Sequence, residues 1–286
     1  MKSTVMKDMA LEPGLYLTAT PIGCLEDISL RALRVLRCCQ AIYCEDTRVS
    51  RKLLNAYEIT TPLLTYHDHN ADEVRPHILE RLQRGEALAL ISDAGLPLVA
   101  DPGFKLVREC FVRGYHVTVV PGASAFLTAS LLSGFPTAPL TFLGFASRLS
   151  AEALKGWTAV PSTLAFFEAP HKMLMTLEML KDVFPRRRVA VLRELTKVFE
   201  ERVEGEFDEV LEHFREVVPR GEMVIVLSPP CETAVDEEEI DQQLQSCAKD
   251  ISCRDAADIV AKRLHISRKA VYARALMMKK EGVDST

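Results

Sequence analysis

Five short apolar runs, residues 16–20, 41–44, 63–66, 87–91 and 117–120, punctuate the first half of the chain. Each is short enough for a buried strand, and each gives way to a polar or glycine-containing loop. These loops are Pro21-Ile22-Gly23, Glu45-Asp46-Thr47-Arg48, His67-Asp68-His69-Asn70, Ser92-Asp93-Ala94-Gly95 and Pro121-Gly122-Ala123-Ser124. Between the runs, apolar residues recur at helical spacing. Residues 28–39 set Ile28, Ala32, Leu33, Val35 and Leu36 near one stripe, with Asp27 as the candidate N-cap. Residues 50–57, 72–83, 104–113 and 124–133 carry similar patterns, and Gly85 and Gly114 stand where helices end on glycine. Strands alternating with helices predict a mainly parallel sheet with helices on both faces, placed at residues 11–135. Open sheets of this kind bind ligands beyond the carboxyl ends of their strands, so the five loops mark a site before any motif is considered.

The pattern changes after residues 133–139, where Gly134, Pro136 and Pro139 make a hinge. Strands are expected at 140–145, 163–168, 188–196, 199–205 and 223–228, with helices at 173–183 and 207–217. Two consecutive strands with no helix between them imply a mixed sheet, hence a second α/β domain at 138–230. From Cys231 onward the composition turns acidic, giving a solvated linker or short helix over 232–241. Residues 252–280 hold eight Lys or Arg against two Asp, with helical spacing broken at His265-Ile266-Ser267. Ser252 with Asp255 approximates a capping box, and Ser267 is placed to cap a second helix. A small basic helical tail is therefore expected at 236–286.

Composition narrows the picture. An apolar share of 48% and a charged share of 26% are those of a folded globular chain. No stretch approaches the roughly 20 apolar residues of a membrane span, and residues 1–10 lack the apolar core of a signal peptide. Eight cysteines without a CxxC pair fit free thiols in the cytoplasm. The net charge of −5 gives no global attraction to nucleic acid, which leaves the basic tail as the local candidate.

The loops do not form a GxGxxG dinucleotide motif or a phosphate-binding P-loop. A nucleoside cofactor without phosphates, such as S-adenosylmethionine, needs neither. It requires an apolar slot, hydroxyl partners and groups that meet its positive charges. His67 and His69 would share a face of a strand, but no third ligand has metal-site spacing, and a polar edge facing RNA is served equally well. Arg186-Arg187-Arg188, Arg51-Lys52, Arg193 and Lys197 can grip phosphate or simply carry solvated charge.

Several ordered motifs together closely resemble the ribosomal RNA small subunit methyltransferase I family, a branch of the tetrapyrrole methylases. They are residues 17–27, Glu45-Asp46-Thr47-Arg48, Tyr66-His67-Asp68-His69-Asn70, Ser92-Asp93-Ala94-Gly95-Leu96-Pro97-Leu98 with Asp101-Pro102-Gly103, and Pro121-Gly122-Ala123-Ser124-Ala125. Phe167-Glu168-Ala169-Pro170-His171-Lys172, Arg193-Glu194-Leu195-Thr196-Lys197 and Gly221-Glu222-Met223-Val224 continue the match. The resemblance implies the two-domain fold of that superfamily with its small helical tail, usually as a homodimer, and S-adenosylmethionine in the interdomain cleft. It implies methylation of the ribose 2′-hydroxyl of a cytidine in the decoding region of 16S ribosomal RNA, free or in the small subunit. A corrin or porphyrin carbon methylase and a non-catalytic ribosome-associated RNA-binding protein are the rival readings.

The resemblance assigns cofactor contacts to Pro21, Gly23, Asp93, Ala94, Gly95, Pro121, Gly122, Ser124, Ala125, Phe167 and Glu168. A ribose hydroxyl is a poor nucleophile, and a carboxylate or imidazole can take its proton. Glu45, Asp46, His67, His69 and Glu168 are the candidates, with Arg48 holding a phosphate, although residues 45–48 fit a structural salt-bridge corner equally well. Arg51, Lys52, Asn70, Arg193, Lys197, Arg268 and Lys269 are the expected RNA contacts. Cys24, Leu96, Ala100 and Ala123 depart from the usual family pattern of Asn, Thr, Ser and Pro, which removes individual polar contacts.

Overall fold

Alternation within one strand already assigns the two faces of the first sheet. In β1 (Gly14–Thr18), Leu15 and Leu17 enter one apolar cluster and Tyr16 enters the other. In the computed structural model, which describes residues 10–230, 237–247, 251–264 and 268–281, β1 lies inside a five-stranded parallel sheet. Its companions are β2 (Ala41–Cys44), β3 (Leu63–Thr65), β4 (Ala87–Leu90) and β5 (Val117–Val120), in the order β3-β2-β4-β1-β5. Leu15 stands opposite both Leu88 and Val117, so β1 is paired on both edges.

Helices α1 (Leu30–Cys38) and α2 (Thr47–Ala56) cover one face, where Val35, Leu36 and Leu54 meet Tyr16, Ile42 and Ala89. Helices α3 (Ala71–Gln83) and α4 (Phe104–Val112) cover the other, where Ile78, Leu79 and Leu106 meet Leu15, Leu17, Leu88 and Leu90. Two helix starts differ from the sequence expectation. Ser29, not Asp27, caps α1: its hydroxyl accepts the Ala32 N–H at 3.0 Å, while Asp27 sits in a separate 3-10 turn. Helix α2 begins at Thr47, earlier than expected, because the Asp46 carboxylate accepts the Arg48 N–H at 2.8 Å and starts the turn.

The second sheet has β6 (Leu140–Phe145), β7 (Thr163–Glu168), β8 (Val189–Arg193), β9 (Glu201–Gly205) and β10 (Met223–Leu227), in the order β6-β7-β10-β8-β9. β6 is parallel to β7 and every other pairing is antiparallel, a mixed sheet. Helix α6 (Ala151–Lys155) precedes β7, and α7 (Met173–Val183) and α8 (Phe207–Glu216) pack Leu177, Leu180, Val210 and Phe214 on Phe166, Val191 and Ile225.

The opposite face, Ala190, Leu192, Val224 and Val226, is covered by the first sheet's own extensions. These are Ile22 from the β1 loop and Ala129 from α5 (Ala125–Leu132). Small residues on α5 let it approach the sheet closely. This apolar contact joins the two sheets, and Ile22, Leu195 and Val224 extend from it into the lining of the cleft described below.

Arg187 does not grip phosphate. Its side chain is buried, with Nη1 donating to the carbonyls of Ser162 and Ser228 (both 2.7 Å) and Nη2 to those of Trp157 (2.8 Å) and Val160 (2.7 Å). Arg188 pairs with Glu204 at 2.8 Å.

The tail folds as α9 (Glu237–Ser246), α10 (Cys253–Leu264) and α11 (Arg268–Glu281) around Ile240, Ala257, Val260 and Val271. Arg274 holds Asp241 through two hydrogen bonds of 2.8 and 2.6 Å, and Asp255 N–H donates to Ser252 Oγ at the start of α10. Ser267, the expected second cap, and residues 1–9 and 231–236 lie outside the described residues. No described helix is long and apolar enough to cross a membrane.

Candidate active-site cleft

The carboxyl ends of β1, β2 and β4 face the second sheet across a cavity of about 390 Å³. Ile22, Phe145, Phe167, Leu195, Met223 and Val224 give it apolar walls, with Phe145 and Phe167 edge-on at 5.7 Å. Glu45, Asp93, Asp101, Glu168 and Glu222 supply the acidic groups along its lining.

Backbone contacts lock the loops that carry these residues. Thr20 and Gly95 exchange N–H to carbonyl bonds of 2.8 and 3.1 Å, tying the β1 and β4 loops. Cys24 N–H donates to Thr196 Oγ1 at 2.9 Å across the two domains. Gly23 is needed at that crossing, because a Cβ there would lie 2.6 Å from Thr196 Oγ1 and 2.7 Å from the Leu195 carbonyl oxygen. On the other side of the cleft floor, Gly122 packs on Ala19, where an added Cβ would meet the Ala19 methyl at 2.8 Å. Left-handed backbone occurs at non-glycine residues on both banks: Leu98 (φ 70°) and Ala100 (φ 66°) on one, Glu194 (φ 51°) and Thr196 (φ 62°) on the other. Such conformations cost about 1 kcal/mol or more each and concentrate where a surrounding structure over-determines a functional surface.

Three carboxylates of the first domain share the cleft without an ion-pair partner among the described residues: Glu45, Asp93 and Asp101. Burial, then the charge of Asp93, raises Glu45 above the usual carboxylate range. Asp93 is raised by burial, partly offset by the 3.2 Å hydrogen bond it accepts from the Asp46 N–H. Burial, followed by the charge of Glu45, pushes Asp101 up to about 7, against a hydrogen bond from Ser92. The three are not grouped closely enough to hold a metal ion.

The other expected catalytic groups are occupied elsewhere. Asp46 is held at about 2 by the Arg48 side chain, which reaches it at 2.6 Å, and neither side chain lines the cleft. His67 Nδ1 accepts the Asn70 N–H at 3.2 Å, which fixes the ring's orientation. His69 is exposed beside it, ring centroids 5.9 Å apart. Glu168 lines the cleft, yet its oxygens accept the Ser147 and Ala169 N–H groups (both 2.8 Å) and the Thr176 hydroxyl (2.7 Å). That carboxylate fastens the β7 end to α7.

Of the expected cofactor contacts, Asp93, Ala94, Ala125, Phe167 and Glu168 line the cavity, and Gly95 and Ser124 line a smaller side pocket of about 80 Å³. Pro21, Gly23, Pro121 and Gly122 line neither space: Pro21 is buried, and the other three are exposed outside them.

The expected RNA contacts divide in the same way. Arg51 and Lys52 are exposed on α2 with no ion pair among the described residues. Arg193 is paired with Glu201, Lys197 with Glu194 (3.0 Å) and Glu222 (3.1 Å), and Arg268 with Asp258. Asn70 is spent on the His67 N–H and on Thr65. The side chain of Lys269 lies outside the described ones. Sequence reasoning gave no role to Asp101, Leu195 or residues 221–224, although their motifs were visible; only the fold brings them to Glu45 and Asp93.

The sequence pattern of the tetrapyrrole (corrin/porphyrin) methylases matches residues 14–211, and that of the RsmI C-terminal HTH domain matches residues 234–279. The chain is 43% identical to the ribosomal RNA small subunit methyltransferase I of Mesorhizobium japonicum, over 94% of this chain and 93% of that one. It is 42% identical to the Bacillus subtilis protein of the same name, over 79% and 78%. Among solved structures, a diphthine synthase superposes with a TM-score of 0.59 at 13% identity, covering 75% of this chain and 89% of the other. A Thermus thermophilus uroporphyrin-III C-methyltransferase complexed with S-adenosyl homocysteine gives 0.55 at 21% identity, covering 75% and 97%. At these identities the structures speak for the fold alone.

Proposed function

The chain belongs to the ribosomal RNA small subunit methyltransferase I family of tetrapyrrole methylases, and from that premise we propose that it methylates the ribose 2′-hydroxyl of a cytidine in the decoding region of 16S ribosomal RNA. S-adenosylmethionine is the methyl donor. The observation that carries the reading is an interdomain cleft with apolar walls and three carboxylates that pair with no cation among the described residues.

The cleft suits that cofactor. Its volume of about 390 Å³ falls within the usual range for small-molecule sites. The apolar groups of Ile22, Phe167, Leu195 and Met223 fit a nucleoside base, and the unpaired Asp93 and Glu45 suit a cationic ligand. When bound, the cofactor supplies an electrophilic methyl on a sulfonium. The protein's part is to hold the ribose oxygen in line, exclude water and give the proton a destination; positioning of this kind is worth up to roughly 7–11 kcal/mol.

The RNA approaches over α2, where Arg51 and Lys52 are free to meet phosphate, and engages the basic tail. The protein works in the cytoplasm as a homodimer. Leu127 and Leu131 of α5, 46% and 71% exposed, provide apolar surface for a second copy. Sedimentation of the purified protein at micromolar concentration tests this, and a monomer would refute it.

The deciding experiment maps ribose methylation in 16S RNA from cells with and without this protein. Loss of one 2′-O-methyl cytidine is expected, returning with the wild-type gene. An unchanged methylation map would overturn the proposal, and methylation of a tetrapyrrole instead would favour a carbon methylase.

A further inference from the structure

A nucleotide whose ribose enters the cleft brings a phosphodiester with it on either side. The lining offers these anions no cation: its charged side chains are Glu45, Asp93, Asp101, Glu168 and Glu222. Like charges repel, so the phosphates must be met at the rim, by cations that the protein has not already neutralised.

On the second domain's bank many cations are committed. Lys155 pairs with Glu152, Arg188 with Glu204, and Lys197 with Glu194 and Glu222. Arg148 and Lys172 have no ion pair among the described residues.

One buried carboxylate brings these two together. β6 ends at Phe145, in the cleft wall, and runs into a 3-10 turn at Ala146–Arg148. β7 ends at Glu168 and continues through Ala169 and Pro170, also in the wall. There a second turn, Pro170–Lys172, leads into α7. Glu168 holds both segments, accepting the Ser147 and Ala169 N–H groups at 2.8 Å each and the Thr176 hydroxyl at 2.7 Å. Neutral donors thus satisfy that carboxylate, and Lys172 is left outside its hydrogen bonds.

Lys172 Nζ donates instead to Ser147 Oγ at 3.5 Å. Arg148, the next residue, lays its guanidinium over the Phe145 ring, 4.6 Å from the centroid. An arginine stacked on an aromatic face keeps its in-plane N–H groups for an oxyanion. Arg148 is exposed and Lys172 half-buried, and the Ser147 hydroxyl has no acceptor for its own hydrogen among the described residues.

We propose that Arg148 and Lys172, with the Ser147 hydroxyl beside them, form a phosphate site that takes a phosphodiester next to the methylated ribose. This rests on the functional reading above. The site complements Arg51 and Lys52, which α2 presents from the first domain. Its residues touch the RNA backbone, not the reacting atoms, and set where the ribose stands in the cleft.

The test measures binding of small ribosomal subunits to the full chain over a range of KCl concentrations, for wild type, Arg148→Met and Lys172→Met. Methionine keeps an apolar stem and removes the charge. Each variant is expected to bind about tenfold more weakly and to lower the salt slope by about 1. Arg148→Lys and Lys172→Arg, which keep the charge, should keep the slope. Affinity for S-adenosyl homocysteine in calorimetry should stay within about threefold of wild type in all four. Lys155→Met is the control: that charge already faces Glu152 at 2.7 Å, so neither quantity should change.

Subunit affinity and salt slope unchanged in both methionine variants would overturn the site. Loss of S-adenosyl homocysteine binding would assign the two cations to the carboxylate of the cofactor and overturn it equally. A wild-type protein that transfers no methyl to 16S RNA overturns the functional reading itself. Transfer by wild type, with methionine variants that bind subunits as it does, overturns only the phosphate site.

Discussion

Replacing Gly23 by Ala tests how the two domains are held at the mouth of the cleft. The new Cβ would lie 2.6 Å from Lys197 Cγ and Thr196 Oγ1, and 2.7 Å from the Leu195 carbonyl oxygen. Ordinary contact begins near 3.4 Å, so the β1 loop and the segment 195–197 must separate by about 0.7–0.8 Å. The lysine stem can turn aside, whereas the Leu195 carbonyl belongs to a turn fixed by left-handed Glu194 and Thr196. Separation also stretches the 2.9 Å hydrogen bond from the Cys24 N–H to Thr196 Oγ1. Overpacking costs about 1–3 kcal/mol and the weakened bond about 1 kcal/mol more, so a loss of about 2–4 kcal/mol is expected.

In thermal unfolding that corresponds to a fall in Tm of about 3–7 °C for a chain of this size. Ile22 and Leu195 line the cleft on either side of the crossing, so the same displacement widens the site. A misplacement of nearly 1 Å can reduce turnover about 10²-fold. Differential scanning fluorimetry and single-turnover methylation measure the two effects. The control is Gly156→Ala: Gly156 has φ −62° and no neighbour within 4 Å of an added Cβ, so a gain of about 0.4–1 kcal/mol with unaltered turnover is expected. A Gly23→Ala protein with wild-type Tm and turnover would show that the crossing does not fix the cleft.

Three more outcomes follow from the geometry. Asp101 is raised from 3.8 to about 7 on folding, so its neutral form is favoured in the native state. Its contribution is therefore fully present below about pH 4 and is lost as pH rises through about 7, a change of about 2 kcal/mol once the full shift is discounted for solvent in the open cleft. Glu45 and Asp93 act with the same sign, and Asp101→Asn should flatten the fall in ligand-free stability measured by urea titration at pH 5, 6, 7 and 8. Arg51→Ala and Lys52→Ala should each lower the salt slope of RNA binding by about 1, whereas Lys197→Ala, whose charge already faces Glu194 and Glu222, should leave it unchanged. Arg187→Met strips four backbone carbonyls of donors of 2.7–2.8 Å and should cost about 3–5 kcal/mol in urea unfolding, without altering cofactor affinity of the folded fraction.

The strands were legible because their apolar runs are bounded by charge or glycine. β2, β5, β6 and β7 begin and end where the pattern places them. Helix α6 was not, since five residues give no periodicity to detect. The start of α1 was misread because Asp27 and Ser29 are both good caps, and only the extended backbone at Ile28 decides between them. Arg193 read as a free cation because its partner Glu201 is chosen by the β8–β9 pairing, and Lys197 because its second partner, Glu222, just before β10, is distant in sequence, although Glu194 is local. Asp101 stood in the sequence only as part of the motif Asp101-Pro102-Gly103, with no role assigned to it. Its meaning depends on Glu45, carried by a different strand, and no local pattern contains that proximity.

The departures from the family pattern can be judged on the same physical grounds. Cys24 makes its interdomain contact through its backbone N–H, which asparagine would offer equally. Ala123 is a half-buried residue packed on the interdomain apolar cluster and lines neither cavity. Leu96 and Ala100 are different: both line the side pocket, and losing two hydroxyls there leaves Ser124 and Asp101 as its polar side chains. Fewer polar neighbours mean poorer solvation of the Asp101 carboxylate, which favours its neutral form and strengthens the burial that already raises it. Of the four departures, Leu96 and Ala100 are therefore the two that bear on the site, through the solvation of one carboxylate.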